Sequence, residues 1–524
     1  MFKEAVQRQR HHHYQRSTDT AHVNDVNTED DEEGNDRSML DHRCPWDTYH
    51  IEVSERLATI LRVSEEPEIS KSLQHLKPRS ATEEEIEMIH TKRYISEIKR
   101  TRELKEEKLE EFSSNYEDIY VNEHTFDAAL LAAGCVFELV DAVSRTGTPG
   151  FAAVRPPGHH AFPDQGCGFC IFNNVALAAK YALRKGHSRV LIVDWDVHAG
   201  QGTQECISDD DRIRLVSIHR FERGHFWPNL QQSAVKTKFK NTINVPLNDI
   251  GMSDSDYLAI FQLVVHPIIN DFKPDIILVS CGFDAALGDP EGEMRLTPAG
   301  YATLTRQLLT WRIPLVMVLE GGYFLDSIAL DFKWVAKALL GHEIPPVSLE
   351  PLNAALPPVF NRIHAEYGAV YPTLAMIREL KRRLNPCDEE EEKIEYDGTR
   401  EFSLPYPTRG LYAEREQHVI AAFKKELHKI VDGYDQHGTY KTVEYVLQED
   451  HPLSCAVDGN SVTLRVSKGT RAAVDLLISR SINPLLQSNN FEAQLNEADI
   501  EKLVELLRQI QTSTEIPRPY ILYL

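Results

Sequence analysis

Two short segments carry most of the chemistry in this 524-residue chain, Asp194-Trp195-Asp196-Val197-His198 and Gly282-Phe283-Asp284. Each follows an apolar run that reads as a buried strand, Val190 to Val193 and Ile276 to Val279. Asp196, His198 and Asp284 would deliver oxygen and nitrogen ligands from strand ends. Three protein ligands with an open position is the pattern of a catalytic zinc, not a structural one. Zinc there would polarise a substrate carbonyl and make water a better nucleophile at neutral pH. Gly158-His159-His160 offers paired imidazoles, with His160 as the proton-transferring residue and His159 as its electrostatic partner. Glu320-Gly321-Gly322-Tyr323, after Leu315 to Leu319, offers a phenol, Tyr323, to hold a tetrahedral oxyanion.

The elements that must position these residues alternate. Helices are expected at Thr125 to Ser144 and Asn174 to Arg184. Strands are expected at Ala152 to Val154, Val190 to Val193, Leu215 to Ile218, Ile276 to Val279 and Leu315 to Leu319. Such alternation predicts an α/β fold, a central parallel sheet with helices on both faces. Ligands of such sheets bind beyond the carboxyl ends of the strands, where every polar motif above falls. Residues 1–38 read as a disordered tail, and 39–345 as the catalytic domain. The prolines between Pro345 and Pro358 suggest a linker over 346–410. Residues 411–524 read as a small α+β accessory domain, with a helix from Glu414 to Val431, strands at Thr442 to Leu447 and Ser461 to Val466, and a late helix from Ala498 to Gln511. No internal repeat is evident, so a second catalytic copy is not expected.

Composition narrows the function classes. A net charge of −23 argues against direct nucleic-acid binding and mildly favours cationic partners. Part of that acid lies in two runs, Glu29 to Glu33 and Asp388 to Glu392, which read as solvated. No run of apolar residues is long enough to suggest a membrane span. The polar N-terminus does not read as a secretory signal. Eight cysteines at scattered spacing suggest no disulfide framework, so a reducing compartment is expected. The Cys167-x-x-Cys170 pair has no second pair to complete a metal site and reads as part of a channel wall.

The series Arg155-Pro156-Pro157-Gly158-His159-His160, Gly168-Phe169-Cys170, Asp194-Trp195-Asp196-Val197-His198, Gly282-Phe283-Asp284-Ala285 and Glu320-Gly321-Gly322-Tyr323 resembles the zinc-dependent histone deacetylase family, class II. The resemblance covers about 300 residues. It implies the arginase-like α/β fold and zinc-dependent hydrolysis of N-acetyl amides. It further implies that Asp194 orients His159 and Gln201 orients His160. Phe169 and Trp227 would wall the substrate channel, and the carbonyl of Gly168 would accept the substrate amide N–H. A structural monovalent cation, K+, would lie among Asp194, Asp196, His198, Ser217 and Ile218. Localisation in nucleus and cytoplasm, and corepressor or other protein partners, belong to the same expectation.

Three details are similar to the class IIb polyamine deacetylase branch: Trp227 in Phe226-Trp227-Pro228, Gln201 in Gly200-Gln201-Gly202, and Glu291 in Gly288-Asp289-Pro290-Glu291-Gly292. By that resemblance Glu291 is a gatekeeper for the cationic end of an acetylated polyamine. A carboxylate ~4–5 Å from an ammonium is worth roughly 3–4 kcal/mol before desolvation. Glu117 and Asp118 would add acid at the rim. That branch's narrowing Pro-Glu-Cys-Glu insert has no counterpart in Trp46 to Glu52, so acetyl-lysine in histones or other proteins stays an equal substrate expectation. Ala199 stands where the family usually has His. A ureohydrolase with two metals is disfavoured, because Ala199 and Gly200 after His198 offer no further ligands. The remaining alternative is a catalytically weakened deacetylase-fold scaffold in a chromatin or cytoplasmic complex.

Overall fold

The computed structural model describes residues 38–348, 350–384, 396–400 and 402–434, together with short strands at 445–447, 454–458, 461–466 and 520–522. The expected N-terminal tail, the Asp388 to Glu392 run and the late helix from Ala498 to Gln511 fall outside the described residues.

The main sheet is built from β1 (Gln74–His75), β2 (Gly150–Ala152), β3 (Val190–Asp194), β4 (Ile213–Arg220), β5 (Thr242–Leu247), β6 (Ile276–Cys281), β7 (Leu315–Leu319) and, from far along the chain, β11 (Tyr520–Leu522). Their order is β1-β11-β2-β7-β6-β3-β4-β5, and each neighbouring pair is parallel. Every residue of β2, β3, β5, β6 and β7 is buried. A strand covered on both faces is largely apolar, which is why β3, β6 and β7 read as near-continuous apolar runs and not as alternating ones. Helices pack around the sheet. The long helix Thr125–Thr146 ends where Gly147 adopts φ 71°, a left-handed conformation that L side chains resist. The helix Asn174–Arg184 begins at Asn173, whose side chain accepts a hydrogen bond from Ala176 N at 3.0 Å.

Two strands of the main sheet illustrate where the structure departs from the sequence expectation. The first motif-bearing strand is Gly150–Ala152, not Ala152 to Val154. Val154 is buried, yet the chain has already left the sheet to form the loop toward His159. Apolarity reports burial, not pairing. Strand β5 was not expected because Asn244 and Pro246 weaken its pattern. It lies at the sheet edge, where a missing N–H is tolerated.

The region after residue 345 is more structured than a linker. Helices Leu356–Tyr367 and Pro372–Leu384 form there, and Leu356, Val359, Phe360 and Ile363 join the main core. The helix Gln417–Asp432 follows. Just beyond it the Tyr434 hydroxyl accepts from Ala299 N at 3.1 Å, and its ring meets Trp334 edge-on. Strands β8 (Tyr445–Leu447), β9 (Ser454–Asp458) and β10 (Ser461–Val466) form a separate sheet in which β10 is central. No helix among the described residues is long and apolar enough to cross a membrane.

Candidate active site

Four adjacent strands, β2, β7, β6 and β3, send their carboxyl ends to one place. The loop after β3 carries Asp196 and His198, and the loop after β6 carries Asp284. The ligand atoms of these three buried residues lie within 4.8 Å of one another. His198 Nδ1 is 3.2 Å from Asp196 Oδ1 and 3.1 Å from Asp284 Oδ2. The carboxylates are aimed by backbone donors: Gly321 N reaches Asp196 Oδ2 at 2.8 Å, and Val197 N reaches Asp284 Oδ1 at 2.7 Å. Burial and the neighbouring Asp196 raise the Asp284 carboxyl above the ordinary range. Two carboxylates and an imidazole buried this close together are a donor set that a divalent cation would neutralise. The surroundings also keep the space clear. A Cβ on Gly282 would meet Asp196 Oδ2 at 2.2 Å, and one on Gly321 would meet Asp284 Oδ2 at 2.3 Å. The residues therefore fit a zinc ion.

His159, His160 and Asp196 are also close enough to share an ion. Their hydrogen bonds indicate a different role. His159 Nδ1 lies 3.1 Å from Asp194 Oδ2, and His160 Nδ1 lies 2.8 Å from Gln201 Oε1. Each imidazole thus has one nitrogen engaged by a buried acceptor, which sets the ring's orientation. Burial, reinforced by His159 and His198, keeps His160 well below the ordinary imidazole range, as a neutral base requires. Burial alone would lower His159 too, but Asp196 and Asp194 outweigh it and raise His159 to about 10. The turn bearing both histidines hangs from Glu320, whose Oε2 accepts from Gly158 N at 2.7 Å and His159 N at 3.1 Å.

Tyr323 follows β7. Its N–H donates to Asp289 Oδ2 at 2.6 Å, and its ring meets Phe169 edge-on at 5.8 Å. Phe169 and Trp227 both reach the site. Trp227 packs edge-on against His160 at 4.6 Å, and its indole N–H donates to Glu117 Oε1 at 3.1 Å. Gly168 has φ 53°, and a Cβ there would meet Trp227 Cη2 at 2.6 Å and His160 Cδ2 at 2.7 Å, so glycine is required twice over. Asp118 lies at the rim, its carbonyl accepting from Phe169 N at 2.7 Å. Burial pushes its carboxyl up to about 7; the Tyr412 hydroxyl opposes this, and the Glu291 and Glu117 charges add to it. Glu291 is half-buried, and its backbone N–H donates to Asp289 Oδ1 at 2.9 Å. Cys167 and Cys170 face each other across a tight turn and are buried. Asp194 on β3 stands opposite Ser217 on β4, with Ile218 next along the strand.

Several contributors were given no role by the sequence. Phe226 stacks on His198 at 5.3 Å. Glu52 is gripped by Arg155 through bonds of 2.9 and 2.6 Å, and by Arg56 at 2.8 Å, all three side chains being buried. Arg56 then extends to the carbonyls of Gly322 and Glu320, just before Tyr323. Arg155 opens a motif and was legible to that extent; Glu52 and Arg56 were not.

The sequence matches the histone deacetylase domain family over residues 50–339. Among characterised relatives, the polyamine deacetylase HDAC10 of Mus musculus is 42% identical over 331 residues, 61% of this chain and 50% of that protein. Histone deacetylase clr3 of Schizosaccharomyces pombe is 40% identical over 303 residues, 56% of this chain and 44% of that protein. The chain spans about half the length of the HDAC10 relatives it matches. Among solved structures, the HDA15 HD domain superposes with a TM-score of 0.59 at 34% identity, covering 66% of this chain and 96% of that domain.

Proposed function

Because the chain belongs to the histone deacetylase family, we propose that it is a zinc-dependent amidohydrolase that removes acetyl groups from amines. The observation that carries this reading is the buried Asp196–His198–Asp284 triple beside an oriented histidine pair and Tyr323. Asp196, His198 and Asp284 would hold the zinc, which when bound polarises the acetyl carbonyl and activates water. His160, kept neutral, takes the proton from the attacking water at Nε2 and returns it to the departing amine. His159, paired with Asp194, stays cationic and favours developing negative charge nearby. Tyr323 donates its phenolic proton in a hydrogen bond to the oxyanion, an effect worth roughly 3 kcal/mol. Phe169 and Trp227 exclude water along the approach, and the Gly168 carbonyl accepts the amide N–H.

The substrate is an acetylated amine on a chain that carries positive charge, either acetyl-lysine in proteins or an acetylated polyamine. The acid that Asp118 and Glu291 place at the rim supports this, with Glu291 as gatekeeper. A monovalent cation, K+, is assigned to Asp194, Asp196, His198, Ser217 and Ile218 on the family resemblance alone. Action in nucleus and cytoplasm, with corepressor partners, rests on that same resemblance. The test is turnover by zinc-loaded protein of an acetyl-lysine histone peptide and an acetylated spermidine, with Glu291→Leu in parallel. A polyamine preference that collapses in the variant supports the gatekeeper. A preference untouched by it removes that role, and absence of turnover on both substrates overturns the deacetylase reading.

A further inference from the structure

The chain returns to the channel rim from far along the sequence. Arg400 pairs with Glu117 and donates to the Pro228 carbonyl at 3.2 Å. Arg409 holds Glu110 through two bonds of 2.7 and 2.8 Å. Trp46 Nε1 donates to the Thr408 carbonyl, and Gly410 N to Asp47 Oδ2, each at 3.0 Å. On the other side, Arg415 donates to the Gly288 carbonyl at 2.6 Å. The segment is pinned on both sides of Tyr412. Tyr412 turns inward: its hydroxyl donates to Asp118 Oδ2 at 2.5 Å, and its ring lies 5.2 Å from His50 and 5.9 Å from Phe169.

We infer that Tyr412 is a specificity-determining wall of the substrate channel, which admits an acetyl group on a slender, unbranched alkylamine and turns away acetyl-lysine embedded in a polypeptide. This rests on the deacetylase reading above. The Phe169 ring meets both Tyr412 and Tyr323 edge-on. A ring closing on Phe169 and His50, with its hydroxyl tied to Asp118, fills the rim where the main chain flanking an acetyl-lysine must lie. A polyamine carries only methylenes and amines at that depth. Charge acts in the same direction. Arg400 neutralises Glu117 and Tyr412 engages Asp118, so the acid left to meet a second ammonium is Glu291. The ties through Arg400, Arg409 and Arg415 make the wall a fixed feature and not a passing contact.

The test compares kcat/KM for an acetylated spermidine and an acetyl-lysine histone peptide on the full chain, Tyr412→Ala and Tyr412→Phe. Calorimetric titration with two zinc-binding hydroxamic acids runs beside it, one on an unbranched alkylamine and one with a bulky aromatic cap. Tyr412→Ala is expected to raise the peptide-to-polyamine ratio, and the capped-to-slender affinity ratio, by about tenfold or more. Tyr412→Phe, which keeps the ring, is expected to stay near the parent ratio. Unchanged ratios in a folded Tyr412→Ala protein overturn the wall, as does an equal loss for both substrates. If the alanine variant fails to fold, Tyr412→Leu takes its place. If the parent hydrolyses neither substrate, the deacetylase reading fails, and the hydroxamate ratio still decides the wall.

Discussion

The guanidinium of Arg56 lies 4.9 Å from the centroid of the Tyr323 ring. Those residues come from opposite ends of the catalytic region, and the contact explains how a tyrosine on a glycine-rich loop keeps one orientation. Arg56 is fixed at its other edge by Glu52, which Arg155 also holds. The Tyr120 hydroxyl completes that cluster by donating to Glu52. The phenol is therefore positioned by a buried ionic group whose members lie outside the glycine-rich motif.

Replacing the phenolic hydroxyl tests the oxyanion role directly. Tyr323→Phe is expected to lower kcat by roughly 10²- to 10³-fold. Zinc content, read by plasma emission spectrometry, should equal the parent's. Parent-like turnover would remove Tyr323 from the chemistry.

Asp284→Ala should reverse that pattern. Zinc content falls to a small fraction of the parent's and activity falls with it, because two protein ligands are one short of the three that hold a catalytic zinc. Chelation of the parent should abolish turnover, and added zinc should restore it. Full zinc occupancy in the variant would point to a different ligand set.

Glu52→Ala strands two buried guanidiniums, Arg56 and Arg155. Breaking a buried pair from one side costs about 3–5 kcal/mol. Burial by itself would raise the Glu52 carboxyl, but Arg155 and Arg56 prevail and hold it below the ordinary carboxylate range. Denaturant unfolding measures the loss, and a change under ~1 kcal/mol would show the cluster to be dispensable.

Gly168→Ala adds a Cβ where Trp227 and His160 already are, at φ 53°. A conformational cost of about 1–3 kcal/mol is expected, with a larger loss of activity as the channel wall shifts. Thermal melting and turnover measured together separate the two. An active variant with parent-like melting would mean that the loop adapts freely.

Acid sensitivity has a residue-level source in His266. It accepts the Trp311 indole N–H at Nδ1, 2.9 Å away, and burial lowers it to about 4. A group depressed on folding is charged more readily in the unfolded chain. The neutral form's contribution is complete above about pH 6.5 and is lost as pH falls toward 4. His266→Gln keeps an acceptor but does not titrate. Relative to its difference from the parent at pH 7, it should gain about 2 kcal/mol at pH 5. A pH-independent difference would show that His266 does not titrate between the two states.

The motifs at the ends of β3, β6 and β7 were legible because strands buried on both faces are largely apolar, so the polar residue that ends each run stands out. The identities of Asp196, His198, Asp284, His159, His160 and Tyr323 are likewise local facts. The helix Leu356–Tyr367 is legible as well, within the stretch whose prolines suggest a linker. Its buried residues 356, 359, 360 and 363 follow helical spacing, and Pro357 and Pro358 fall in its first turn, where no N–H is missed. Only the tertiary structure decided that β2, β7, β6 and β3 are neighbours, which brings four loops to one point. It also decided that Glu52 and Arg56 support Tyr323, and that Tyr412 meets Asp118 across 294 residues. Periodicity records which face of an element is buried. It does not record which distant side chain completes a buried charge or closes a rim, because that pairing depends on chain path and not on local pattern.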